Sequence, residues 1–215
     1  MIRPSARGQF VLLLIVLTFV GCSAAGPAPA QFEARQALPA PTQPREIALT
    51  RLVSKLPVGA RIGRTSEGWL CLPQRPMTWR VGVDEDVPGE VIAILRDELQ
   101  KAGYRTPGPP KSLFDDPKDA QADLLLAGAV KAVTLNVCEG PQGRSSEGSV
   151  EIEWQAYERR TRSVVFTGTT GGTAKSTRGD RRDAYYDAAA AALRNLLAQE
   201  AFVKAVGSAG RAQLR

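Results

Sequence analysis

Residues 150–157 place apolar side chains at Val150, Ile152, Trp154 and Ala156 in strict alternation with Glu151, Glu153, Gln155 and Tyr157. A period of two belongs to an extended strand with one buried face, since a helix would scatter these apolar residues around its whole circumference. Arg159–Arg162 supplies a short turn, and Val164 and Phe166 open a returning strand. The segment therefore predicts a β-hairpin lying with one face on a core.

The rest of the chain is organised around that hairpin. Leu124–Cys138 predicts a long strand, apolar on both faces in its first half and alternating Val133, Leu135 and Val137 against Thr134 and Asn136 in its second. Glu139–Gly148, with three glycines and a proline, predicts a loop or a mobile turn. Val91, Ile94, Leu95, Leu99 and Ala102 recur at helical spacing, with Asp86 as cap, Pro88 in the first turn and Gly103 at the left-handed end. A second helix runs from about Arg181 to Leu197 on a stripe of Tyr185, Ala188, Ala189, Ala192, Leu193 and Leu196, whose alanines imply close approach to the sheet; Phe202 and Val206 extend its packing. Ile47–Leu56 fits a short helix or a strand and is broken at Pro57-Val58-Gly59. Short extended pieces with turns at glycines are expected around Gly63, Gly68, Trp69–Leu72 and Trp79. This order predicts an α+β domain: a three- to five-stranded, mainly antiparallel sheet with two helices packed on one face.

The N-terminus carries an address. Arg3 and Arg7 precede an uncharged apolar run from Phe10 to Val20, too short to span a bilayer as a permanent helix, and Thr18-Phe19-Val20-Gly21-Cys22 follows. This segment resembles a bacterial lipoprotein signal peptide cut before a lipid-modified cysteine. The resemblance implies lipidation at Cys22 and a membrane anchor of two or more acyl chains, each buried methylene contributing roughly 0.8 kcal/mol. Ser23 in place of an aspartate implies sorting to the outer membrane, facing the periplasm, with the inner membrane as runner-up. Ser23–Arg45 contains five prolines among Ala, Gln and Gly and reads as a tether, reaching roughly 70 Å at polyproline rise. The expected division is 1–21 signal peptide, 22–45 lipidated cysteine and tether, 46–206 globular domain and 207–215 polar tail.

Composition narrows the chemistry. The chain has no histidine, which excludes Ser-His-Asp and Cys-His hydrolases, histidine-bearing zinc sites and an imidazole base. The formal net charge is +6, and removal of Arg3 and Arg7 leaves +4. In an extracytoplasmic setting that excess points to anionic lipid, lipopolysaccharide or cell wall, with no nucleic acid expected. With Cys22 lipidated, Cys71 and Cys138 remain as an even pair where disulfides persist; the alternative is two buried thiols.

Other motifs fit structural roles. Gly168–Ser176 resembles a phosphate-binding loop only superficially, because Ala174 precedes Lys175 where the pattern needs glycine, so no nucleotide is expected. Asp84, Glu85 and Asp86 suit a helix start, while Asp115, Asp116, Asp119 and Asp123 lack the spacing of a calcium loop; no metal or cofactor is implied. Arg178-Gly179-Asp180 is a chance-level tripeptide beside a helix cap. The strongest surface candidate is basic: Arg159, Arg160 and Arg162 at the hairpin turn, with Arg178, Arg181 and Arg182 entering the last helix, would form an anion-binding patch if the two groups met.

The core also resembles a domain that precedes the peptidase in some bacterial trypsin-like serine peptidases. The matching pieces are Gly68-Trp69-Leu70-Cys71, Leu99 with Ala102-Gly103-Tyr104, Leu113-Phe114, Ala122–Leu125, Asn136-Val137-Cys138, Val150–Gln155 with Tyr157, and Asn195–Ala198 with Phe202. That both cysteines fall inside matching pieces supports their pairing. The likeness covers core and turn residues, stops short of a peptidase, and carries no catalytic residue. More loosely, the element order looks like that of small domains of periplasmic assembly lipoproteins and secretion-channel subunits. The expected function is a non-enzymatic envelope lipoprotein acting as a protein-interaction or assembly module. The alternatives are an anionic lipid or lipopolysaccharide binder using the arginines, and a carboxylate- or lysine-dependent cell-wall hydrolase.

Overall fold

The computed structural model describes residues 46–80, 87–107, 122–176 and 181–208. In chain order the elements are β1 (Ile47–Ser54), β2 (Arg61–Glu67), β3 (Gln74–Thr78), α1 (Val87–Lys101), β4 (Leu124–Gly140), β5 (Gly143–Glu158), β6 (Ser163–Ser176), α2 (Arg181–Leu197) and α3 (Glu200–Ser208).

The alternating segment is the second half of β5, which pairs antiparallel with β4 on one side and β6 on the other. Val150, Ile152, Trp154 and Ala156 are all buried, as the alternation requires. β5 is longer than its apolar part, however. It begins at Gly143, so Glu139–Gly148 is a two-residue turn at Pro141-Gln142 flanked by paired strand, not an extended loop. The glycines there have specific tasks: Gly143 adopts φ +109°, and at Gly148 a Cβ would lie 2.6 Å from the carbonyl oxygen of Ala184. β6 likewise continues through Gly168–Ser176, which is strand and so cannot wrap a phosphate. Glycine at 172 lets the backbone of α2 at Ala188 and Ala192 rest directly on the strand.

The sheet is α+β in its setting and mostly antiparallel, with six strands in place of the three to five expected. The extra strands come from the N-terminal segment. β1 and β2 both pair parallel with β4 along the same edge, β1 against Leu124–Val130 and β2 against Leu135–Glu139; β3 adds antiparallel to β2. A bulge between Val130 and Ala132 keeps the apolar side chains on one face across the change of neighbour.

All three helices cover that face. α1 buries Val91, Leu95 and Leu99, and it ends at Gly103, φ +85°, as the spacing implied. The Asp86 cap lies outside the described residues. α2 spans the predicted residues and packs its alanine stripe on β5 and β6, while Phe202 of α3 meets Phe166 edge to face at 5.3 Å. Between the two helices, Glu98 of α1 accepts a bond from Arg194 of α2 at 2.9 Å, and Tyr186 donates to Glu90.

Candidate interaction poles

The strands run lengthwise between two ends. At about 3.3 Å per residue, a strand of 16 residues such as β5 puts these poles roughly 50 Å apart. The described chain starts at the first pole, where Ile47 pairs with Leu124 and donates to Arg105 O at 2.8 Å. The turn after β5 lies at the same pole, where Arg159 N donates to Asp123 O at 3.1 Å. Arg160 stands 3.7 Å from Glu158, a carboxylate buried under the turn that also accepts from Thr161 at 2.8 Å.

The start of α2 belongs to the other pole, with Ala184 over Gly148, which pairs with Leu135 and Ala174. The structure therefore does not join the expected arginine patch: Arg159, Arg160 and Arg162 sit at one end of the sheet, Arg181 and Arg182 at the other. Arg178 lies outside the described residues. The two groups are separated because the hairpin turn and the α2 start flank opposite ends of β6.

What gathers at the second pole is different. Arg181 lines a cavity of about 460 Å³ together with Arg80, Arg144, Thr65, Ser66 and Glu67. Arg144 pairs with Glu139 at 3.1 Å. Arg80 and Arg144 carry no local motif, and only tertiary structure brings them beside Arg181. Arg64, bonded to Gln74 at 3.0 Å, and Arg75 flank the same end on the β2–β3 hairpin, and Lys175 meets Glu147 at 3.0 Å beyond them.

The β2–β3 connection, Gly68–Pro73, caps this pole. Gly68 N donates to Glu139 O at 2.8 Å, and Cys71 is disulfide-bonded to Cys138 of β4 with the Cα atoms 5.5 Å apart. Trp69, Leu70 and Leu72 are 87%, 77% and 58% exposed. The sequence pattern suggested extended pieces here; the structure shows a turn, with Cys71 at φ +50° and its neighbours facing solvent. Trp69 borders a second cavity, of about 540 Å³, against the turn at Gly140–Gly143. Of the six large apolar side chains exposed among the described residues, three stand within these four consecutive positions. Burial of one such side chain is worth roughly 1.5–3 kcal/mol, so three of them held in water on a crosslinked turn make this a candidate contact surface.

The face of the sheet that no described helix covers is a second candidate. Register places Ala48, Leu125, Tyr157 and Val164 side by side across β1, β4, β5 and β6. Farther along, Glu153 accepts from Lys55 at 3.1 Å and from Lys131 at 3.2 Å. The bonds from Lys55 and then Lys131 hold the Glu153 carboxyl below the usual carboxylate range.

Among the described residues, no group of three or more His, Cys, Asp or Glu is placed to hold a metal ion. No described helix is long and apolar enough to cross a membrane. Asp123 is held at the first pole, while Asp84, Glu85, Asp86, Asp115, Asp116 and Asp119 lie outside the described residues, as does Cys22.

No protein-family model matches the chain, and no curated protein does. Among solved structures it is similar to a Xanthomonas campestris protein of the DUF330 family, with 15% identity over 82% of this chain and 95% of that one, TM-score 0.37. It is also similar to PelC from Paraburkholderia phytofirmans, crystallised as a dodecamer, with 17% identity over 77% and 96% of the chains, TM-score 0.38. Lipoprotein GNA1162 from Neisseria meningitidis shows 12% identity over 64% and 88%, TM-score 0.32.

Proposed function

We propose that this chain is a non-enzymatic lipoprotein of the cell envelope, anchored through lipid on Cys22 and facing the periplasm from the outer membrane, that serves as an interaction or assembly module for a protein partner. The single observation behind this reading is the sheet: among the described residues all three helices lie on one face, and the other presents the row Ala48, Leu125, Tyr157 and Val164. Farther along, this face is charged at Glu151 and Glu153; at the Tyr157 end the row of small, aromatic and branched side chains suits a partner's apolar surface.

Photocrosslinking in cells from Gln155 and Thr167, which lie beside this row, tests it. One envelope protein captured reproducibly from both positions, and lost with Tyr157→Asp plus Val164→Asp, is the expected result. Capture from neither position while the protein is folded and membrane-bound overturns the partner reading. Cys22→Ser tests the anchor separately: the protein is expected to leave the membrane fraction and lose the mass of the acyl chains.

A further inference from the structure

We infer that the disulfide-tied turn Trp69–Leu72 seats in the surface of an anionic phospholipid bilayer, with the arginines of its pole on the headgroup phosphates. This goes beyond the partner reading and uses a different surface.

Three observations carry it. First, Trp69, Leu70 and Leu72 stand exposed on the turn that closes this pole, and a bilayer interface accepts such side chains without a complementary pocket. An indole with two leucines is the side-chain set that favours the boundary between headgroups and acyl chains. Second, the pole is electropositive. Among the described residues Arg64, Arg75, Arg80, Arg144, Arg181, Arg182 and Lys175 gather at this end, against the carboxylates Glu67, Glu139, Glu147 and Asp183. Basic side chains close to an anionic leaflet strengthen binding by about 1 kcal/mol each, roughly a fivefold change per residue. Third, the bond from Cys71 to Cys138 and the backbone bond from Gly68 to Glu139 hold the turn in shape before contact, so little ordering entropy is lost on insertion.

Trp69 is also its own reporter, because Trp79 and Trp154 are buried. The full chain would be reconstituted in vesicles of phosphatidylethanolamine and phosphatidylglycerol carrying dibrominated acyl chains, with phosphatidylcholine vesicles for comparison. The expected result is a blue-shifted Trp69 emission quenched at least twofold by the bromines in the anionic vesicles only. Arg75→Gln plus Arg144→Gln, or high salt, should weaken the anionic-vesicle effect of the order of tenfold or more. Trp69→Phe should remove the quenched component and leave the buried-tryptophan emission unchanged, which shows that the core is intact. If Trp69 on anionic vesicles stays open to aqueous iodide and unquenched by the bromines, the inference is overturned. If it is unquenched by vesicles yet protected from iodide in envelope preparations, a protein occupies the turn and the inference is equally overturned. Neither result bears on crosslinking from Gln155 and Thr167.

Discussion

Trp154 donates its indole N–H to Thr170 Oγ1 at 2.8 Å in the centre of the core, and that hydroxyl donates onward to Ala192 O at 2.7 Å. One polar chain thus runs from β5 through β6 into α2, and every member is buried. Thr170→Val keeps the shape and removes both bonds, leaving an indole N–H and a helix carbonyl without their partner. A loss of about 1–3 kcal/mol is expected, read as a lower urea midpoint with an unchanged slope, while Thr170→Ser retains most of the stability.

The bond between Cys71 and Cys138 spans 67 positions of chain. The entropy of closing such a loop in the unfolded chain corresponds to about 4 kcal/mol. Unfolding with and without reductant should differ by up to that amount. Reduction should also loosen residues 68–73 first, as faster amide exchange confined to the β2–β3 turn.

Gly172 should tolerate no side chain. An added Cβ would meet the backbone of α2 at Ala188 and Ala192, atoms that cannot swing away as a side chain can. Gly172→Ala is expected to cost about 3 kcal/mol or more, whereas Gly143→Asn at the exposed turn should cost much less, because asparagine tolerates positive φ. Thermal melts of the two variants compare them directly.

Glu153 gives the fold a modest acid sensitivity. Its carboxyl is held below the ordinary range in the folded chain, so its contribution is fully present above the unfolded carboxylate pKa and disappears as pH falls through the lower folded value. The stability gap between the wild-type chain and Glu153→Gln should therefore close on acidification below the ordinary carboxylate range. Because Lys55 and Lys131 are about half exposed, added salt should narrow the same gap at neutral pH.

Local pattern sufficed where a residue's neighbours in sequence decide its environment. The β5 alternation reports a single buried face, and the α2 stripe gives that helix its observed bounds. Where the environment is made by distant residues, pattern misled or was silent. Glycine 148 reads as loop or turn and glycines 168 and 172 as a strand end running into a turn, yet 148 and 172 lie under helix backbone and 168 against the ring of Phe166. Trp69, Leu70 and Leu72 carry the composition of a core segment, and only the turn and its crosslink put them in solvent. The arginine pairing failed for the same reason: Arg181 meets Arg80 and Arg144, which no spacing connects, while Arg159, Arg160 and Arg162 are carried to the far end by the length of β5.

The parallel docking of β1 and β2 on β4 also sets an order of events. Synthesis delivers these two strands first, yet their backbone partners arrive only with Leu124–Gly140, after α1 and its connection have been made. The pieces able to form early are the neighbours β4, β5 and β6 with α2, all close in sequence. β1 and the β2–β3 hairpin cannot dock until this C-terminal platform exists, so the sheet closes backward relative to synthesis, and truncation near residue 176, which removes α2, should leave a chain without a stable fold.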